Sequence, residues 1–83
     1  MSDDAGFAGM KTTRYFVEVV LSKRAYLTEE MCRRVVERPA RREHQPDGRI
    51  RLWGRVGDRW LRVVLLEDGE TLHNAFFDRR FRP

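Results

Sequence analysis

The chain has 83 residues, of which 41% are hydrophobic, so it is long enough for one domain with a small core. Charged residues make up 36% and the formal net charge is +4, but the apolar content is too high for a disordered polyelectrolyte. No apolar run reaches the roughly 20 residues that cross a bilayer, and the acidic N-terminus does not resemble a signal peptide, so we expect a cytoplasmic protein without a membrane segment.

Residues 1 to 10 are predicted to be a disordered leader, and residues 11 to 83 to be a single α+β domain. The leader consists mainly of small and acidic residues and has no hydrophobic period. Met10 directly precedes Lys11 and a patterned segment, which makes Met10 an alternative start of translation.

The first predicted helix covers residues 13 to 24. Phe16, Val19 and Val20 recur there at helical spacing, although the β-branched content of this segment also suits a strand. We interpret the segment as a helix.

The second predicted helix begins after Thr28, which is a favourable N-cap residue, and ends near residue 37 or 38 because Pro39 cannot continue it. Cys32 is the only cysteine of the chain, so no disulfide framework exists. We expect Cys32 to be a small buried hydrophobe on this helix.

After Pro39 the hydrophobic period changes from about 3.6 to 2, which predicts β-strands. Three turn signals divide this half: Pro46-Asp47-Gly48, Gly57-Asp58 and Asp68-Gly69. The resulting strands span approximately residues 40 to 45, 49 to 56, 59 to 67 and 70 to 77. Connections this short require antiparallel neighbours. We therefore predict two N-terminal helices packed on one face of a four-stranded antiparallel meander sheet.

Two-residue turns at Gly57-Asp58 and Asp68-Gly69 determine which residues share a face. The core-facing rows are predicted to be Val56 and Arg59; Gly54, Leu61 and Phe76; Leu52, Val63 and Asn74; and Ile50, Leu65 and Leu72. The rows of the opposite face are Arg49, Leu66 and Thr71; Arg51, Val64 and His73; Trp53, Arg62 and Ala75; and Arg55, Trp60 and Phe77. The helices are expected to cover the first set.

The orientation of the first strand has two alternatives. A two-residue turn before the second strand places Arg42 and His44 on the face opposite the helices. A three-residue turn places Arg41, Glu43 and Gln45 there instead.

The face opposite the helices is predicted to be basic and aromatic. Arginines bind phosphates and aromatic rings stack on unpaired bases, so this combination suits single-stranded RNA, including mRNA. The predicted nucleic-acid-binding residues of the sheet are Arg49, Arg51, Trp53, Arg55, Trp60 and Arg62. The alternative is a non-catalytic protein-interaction module, in which the same tryptophan and arginine face binds a partner protein.

The sequence has no HExxH, no CxxC and no phosphate-cradling glycine loop, so we expect no metal and no small-molecule cofactor. Metal-independent RNA cleavage needs a proton-transfer group and cations around the phosphate. The predicted register places His73 in the row of Arg51, with Arg62 one row away, and these three are the candidate catalytic residues. Glu43 joins them if the first turn has three residues, and His44 replaces His73 if it has two. The alternative is that His73 only fills a half-exposed strand position.

Short stretches between residues 13 and 81 form a series in a defined order. They are Leu27-Thr28-Glu29-Glu30, Arg38-Pro39, Asp47-Gly48-Arg49, Trp53-Gly54, Leu61-Arg62-Val63-Val64 and Phe76 to Phe81. This series resembles the RelE/BrnT-like small toxin superfamily. The resemblance implies a basic sheet face that cuts RNA without metal, and a small antitoxin protein as partner.

By position, the resemblance places Arg51, Arg62 and His73 on the RNA face, with Arg79, Arg80 and Arg82 in the nearby C-terminal tail. The related toxins commonly have a catalytic tyrosine near the C-terminus, whereas Tyr15 and Tyr26 here belong to the helical half. The predicted function is thus RNA binding by a toxin-like component of a toxin–antitoxin pair, with metal-independent ribonuclease activity as a further hypothesis.

Overall fold

The computed structural model describes residues 7–83. It contains a π-helical segment, Phe16–Val20, the short helix α1, Leu21–Lys23, the helix α2, Glu29–Glu37, and the strands β1, Arg41–His44, β2, Ile50–Val56, β3, Arg59–Leu65, and β4, Leu72–Phe77. The strands form one antiparallel sheet in the order β1-β2-β3-β4. The prediction of an α+β chain with a four-stranded antiparallel sheet is confirmed. No helix within residues 7–83 is long and apolar enough to span a membrane.

The chain is already structured ahead of the first helix. Phe7 is buried, and its ring packs edge-on against Phe16 with 5.1 Å between the ring centroids. The following residues run beside β4, where the Leu72 N–H donates a hydrogen bond of 2.8 Å to the Lys11 carbonyl. Residues 7 to 10 thus differ from the predicted disordered leader, because Phe7 completes the core. Residues 1 to 6 lie outside the described residues.

A threonine side chain accepts a backbone hydrogen bond near the start of the π-helical segment and at the start of α2. Oγ1 of Thr13 accepts from the Phe16 N–H at 3.0 Å, and Oγ1 of Thr28 accepts from the Met31 N–H at 3.2 Å. These bonds satisfy amide groups that have no partner within the helix. The predicted N-cap at Thr28 is confirmed, and α2 ends two residues before Pro39.

The core lies between the helices and one face of the sheet. Its innermost members are Phe16, Val20, Cys32, Val35, Leu52, Leu61, Val63, Leu65, Leu72 and Ala75. Gly54 of β2 allows α2 to approach closely, because a Cβ atom there would lie 3.2 Å from the Cα of Val35. Cys32 is fully buried and packs as the small hydrophobe that the sequence predicts, and this burial raises the pKa of its thiol to about 12.

The register of the β2–β3 hairpin agrees with the prediction. Leu52 pairs with Val63, and Val56 pairs with Arg59 across the two-residue turn. Gly57 has a φ of +65°, which an L side chain rarely adopts and which this tight turn requires.

The register of β4 differs from the prediction beyond Leu72. Leu65 pairs with Leu72 as expected, but a β-bulge between Val64 and Leu65 shifts the following pairs by one residue. As a result Val63 pairs with Ala75, and Leu61 pairs with Phe77. An extra residue in one strand reverses the faces of all later positions. Ala75 and Phe77 therefore belong to the core side, and Asn74 and Phe76 to the opposite side.

The orientation of β1 follows the alternative with a three-residue turn. Arg41 pairs with Trp53 and Glu43 with Arg51, so Arg41 and Glu43 lie on the face opposite the helices. Gly48 in the turn has a φ of +90°. His44 pairs with Ile50 on the other side, and it therefore cannot replace His73.

Candidate nucleic-acid interface

A pocket of about 540 Å³ opens on the face of the sheet opposite the helices. We call it the basic pocket; it is lined by Tyr15, Gln45, Pro46, Asp47, Arg49, Arg51, Arg62, Val64, His73, Asn74 and Phe76. The β1–β2 turn, the start of β2, the end of β3 and the bulged start of β4 meet here. All three candidate catalytic residues, Arg51, Arg62 and His73, line this pocket.

Arg49 and Arg51 are the cations of the pocket that a ligand can reach most directly. Arg51 forms no ion pair with a carboxylate of residues 7–83. The Arg49 guanidinium is half exposed, and its Nε lies 3.9 Å from a carboxylate oxygen of Asp47, which is a loose contact. Glu43 pairs with Arg51 across β1 and β2, so this acid lies on the same face of the sheet.

Arg62 is held more tightly than the other pocket arginines. Its guanidinium lies 3.4 Å from the Asp78 carboxylate and packs on the rings of Trp53 and Phe76, with centroid distances of 5.5 and 4.9 Å. The Nε atom is buried and has no hydrogen-bond partner among residues 7–83. Arg62 therefore lines the pocket with its charge compensated by Asp78, and it also fastens the C-terminal segment to the sheet.

His73 lies at the β4 bulge with one ring nitrogen already bound. Nδ1 is 3.0 Å from Oγ1 of Thr13, and the Tyr15 ring packs against the imidazole with centroids 5.0 Å apart. Nε2 is the nitrogen left for a ligand. Burial, and to a lesser degree the charge of Arg49, lower the pKa of His73. Both effects favour the neutral form of the imidazole.

Tyr15, Asn74 and Phe76 are pocket residues that sequence reasoning missed. Tyr15 is 45% exposed and reaches the pocket from the residue just before the first helical segment. Asn74 and Phe76 reach it because of the bulge. The one available signal was Asn74 itself, since the regular register assigned this polar residue to the core opposite Val63.

The C-terminal segment, Asp78–Pro83, crosses the other half of the same face. Phe81 stacks on Trp53 with 5.1 Å between centroids and an interplanar angle of 13°, and it contacts Trp60 edge-on. Trp53 is left 5% exposed. The expectation that Trp53 offers a free ring to a base or to a partner protein does not fit this arrangement, because Phe81 already covers the indole.

The remaining predicted residues lie away from the basic pocket. Arg55 is exposed and packs over Trp60 at 5.2 Å from the ring centroid. Trp60 and Arg79 line a second pocket of about 320 Å³ at the opposite end of the face, together with Arg82. Arg80 is exposed and lines neither pocket. The structure thus brings together Arg49, Arg51 and Arg62 of the predicted set and separates the others.

The basic pocket presents mainly hydrogen-bond donors. Oδ1 of Asn74 accepts from the Ala75 N–H at 2.8 Å, which leaves the amide NH₂ as a donor beside the guanidinium groups. Within residues 7–83, no group of three His, Cys, Asp or Glu side chains is placed to hold a metal ion. Such a set of groups can bind an anionic ligand that also carries an aromatic ring.

Comparisons with protein-family models, with curated proteins and with solved structures find no match to this chain.

Proposed function

We propose that this chain binds single-stranded RNA, with a phosphate group in the basic pocket. The observation that carries the proposal is the convergence of Arg49, Arg51 and Arg62 on one concave site. Arginine binds phosphate oxygens in a bidentate manner, and charge-assisted hydrogen bonds of this kind are strong.

The aromatic residue beside the arginines favours a single strand over a duplex. The Tyr15 ring is 45% exposed and packs against His73. An unpaired base can stack on such a ring, whereas the bases of a duplex are already stacked on one another. A phosphate between Arg49 and Arg51 would bring the neighbouring base close to this ring.

The test compares two double charge reversals by fluorescence anisotropy with a labelled 12-nucleotide single-stranded RNA. Arg49→Glu with Arg51→Glu should weaken binding at least tenfold. Arg34→Glu with Arg38→Glu changes the net charge equally, but both residues are exposed on or next to α2, so binding should change less than threefold. Equal losses in the two variants would mean nonspecific attraction to a basic protein and would overturn the proposal.

Metal-independent RNA cleavage is a second candidate function, and the position of His73 favours it. If Nδ1–H donates to Thr13, Nε2 can accept the proton of the ribose 2′-hydroxyl. The 2′-oxygen then bonds to phosphorus, the bond to the 5′-oxygen breaks, and the proton passes to that leaving oxygen. The products are a 2′,3′-cyclic phosphate and a 5′-hydroxyl end. Arg49 and Arg51 would stabilise the charge that grows on the phosphate.

Cleavage is tested with the same RNA in the presence of a chelator. The parent protein should produce cyclic phosphate ends, and a folded His73→Ala variant should produce none. Retained cleavage in that variant would remove His73 from the mechanism. Unchanged RNA in the presence of the parent protein would leave binding as the only proposed activity.

The toxin-like role and the small antitoxin partner, both implied by the resemblance to RelE/BrnT-like toxins, remain predictions. Inducible expression in a bacterial host, with and without a co-expressed candidate antitoxin gene, tests them together. We expect growth arrest without that gene and recovery with it. Normal growth in both cultures would contradict the toxin-like role.

A further inference from the structure

We propose that the Phe81 ring occupies a nucleobase-stacking subsite, which a base of single-stranded RNA enters when Phe81 moves away. This inference rests on the proposed RNA-binding function and extends the site beyond the basic pocket. The subsite lies in the half of the sheet face that contains Trp53 and Trp60. In this structure the C-terminal segment, Asp78–Pro83, covers that half.

The surroundings of Phe81 are those that an unpaired base needs. Its ring lies nearly parallel to Trp53. The centroid of the Trp60 ring lies 5.0 Å from the Phe81 centroid, and the Arg41 guanidinium lies 5.1 Å from it. Stacking on indole rings together with an arginine contact is a common way to bind bases without sequence preference.

The basic pocket and this subsite are adjacent. The Arg62 guanidinium lines the basic pocket and lies 5.5 Å from the centroid of the Trp53 ring. A phosphate near Arg62 would therefore have its base beside Trp53. The Asp78 carboxylate now neutralises Arg62 at a distance of 3.4 Å. The C-terminal segment therefore places a carboxylate at Arg62, where the phosphate would bind, and the Phe81 ring at Trp53, where the base would stack.

The attachment of the segment allows Phe81 to leave while the sheet stays intact. The Asp78 N–H donates a hydrogen bond of 2.9 Å to the Trp60 carbonyl and extends the β3–β4 pairing. Beyond it, the Phe81 N–H is 3.5 Å from the Asp78 carbonyl, which is a weak bond. The Arg80 N–H donates a hydrogen bond of 3.0 Å to Oδ1 of Asp78, so the hinge lies beyond that bond, between the exposed Arg80 and Phe81.

The test compares AMP with ribose 5-phosphate, because both carry the phosphate and only AMP has a base. In Phe81→Ala, AMP should bind at least about fivefold more tightly than in the parent protein, since one stacked base contributes on that order. AMP should also quench the tryptophan fluorescence of this variant. Ribose 5-phosphate should bind both proteins alike. Unchanged AMP affinity in a folded Phe81→Ala protein would overturn the subsite.

A second variant keeps the inference testable if Phe81→Ala does not fold. Asp78→Asn removes the charge that neutralises Arg62, and ribose 5-phosphate should then bind more tightly than in the matched charge variant Glu37→Gln on α2. Phe81→Leu retains an apolar cover but gives up ring stacking, so AMP should again bind more tightly than in the parent protein. Equal affinities in these comparisons would overturn the inference.

Different outcomes would overturn the proposed RNA-binding function and the base-stacking subsite. Loss of RNA binding in Arg49→Glu with Arg51→Glu tests the basic pocket, whereas the gain of AMP binding in Phe81→Ala tests the subsite. RNA binding that depends on Arg51 but does not tighten in Phe81→Ala would support the proposed function and overturn the subsite. No RNA binding by either protein would overturn the proposed function.

Discussion

The indole N–H of Trp53 donates a hydrogen bond of 2.9 Å to the carboxylate of Asp78, which lies 25 residues further along the chain. This bond is the largest cause of the lowered pKa of Asp78, with smaller contributions from the Arg80 backbone N–H and from Arg62. It joins the second strand to the C-terminal segment and fixes the position from which Phe81 reaches back over the sheet.

Removing this hydrogen bond should destabilise the fold. Trp53→Phe leaves the Asp78 carboxylate without its indole donor, and we expect a loss of about 1–3 kcal/mol in the free energy of unfolding, measured in urea. Trp60→Phe is the control because it leaves the bond intact. A larger loss from Trp60→Phe would contradict the importance assigned to the Trp53–Asp78 bond.

The two faces of β3 should respond very differently to a buried charge. Val63 is fully buried beneath the helices, whereas Val64 is half-buried in the basic pocket. Val63→Asp should prevent folding, at a cost of more than about 4 kcal/mol, because the carboxylate would enter the core unpaired. Val64→Asp should cost about 1 kcal/mol or less, since it faces arginines. Circular dichroism during thermal unfolding distinguishes the two, and a stably folded Val63→Asp protein would reverse the assignment of faces.

Acidification should weaken the fold through His73. Its pKa is lowered by burial and by the charge of Arg49, so the unfolded chain takes up the proton more readily than the folded chain. The contribution of His73 is therefore complete above about pH 6.5 and declines as the pH falls below that unfolded value. Urea unfolding at pH 7 and pH 5 should show a smaller pH dependence for His73→Gln.

The matched control for that measurement is His44→Gln. His44 is the only other histidine and is exposed on the edge strand β1. This variant should keep the pH dependence of the parent protein. A pH dependence that disappears in His44→Gln and persists in His73→Gln would contradict the burial of His73.

RNA affinity should fall with salt in proportion to the arginines that contact phosphate. Each neutralised phosphate of a single strand adds about 0.7 to the slope of log affinity against log salt. Arg51→Ala should therefore lower the slope by about 0.7, whereas Arg34→Ala on α2 should leave it unchanged. Anisotropy titrations at four salt concentrations give the slope, and identical slopes for both variants would place Arg51 outside the RNA contact.

The β2–β3 hairpin could be predicted from sequence because its turn has only two residues and a glycine suited to positive φ. The same reasoning failed after Leu72, since it assumed strict alternation and a bulge adds one residue. Asn74 was the residue inconsistent with strict alternation, because a polar side chain opposite Val63 would have needed a hydrogen-bond partner in the core. The bulge places Ala75 opposite Val63 instead, so no polar side chain enters the core at this position.

Some residues of the basic pocket could also be predicted from sequence. Arg49, Arg51 and Arg62 follow from local strand alternation, which sequence records directly. Tyr15 and Phe81 do not, because they reach the face through the packing of chain ends against distant strands. Pattern analysis of each segment by itself contains no information about such contacts.

The meander order of the sheet has a consequence for the time course of folding. Neighbouring strands are joined by short connections, so little loop-closure entropy opposes their pairing, and we expect the three hairpins of the meander to form early. The contact between Thr13 and His73 instead joins residues 60 positions apart. A chain still emerging from the ribosome therefore cannot orient its histidine until β4 has left the exit tunnel, and the basic pocket is completed only after that point.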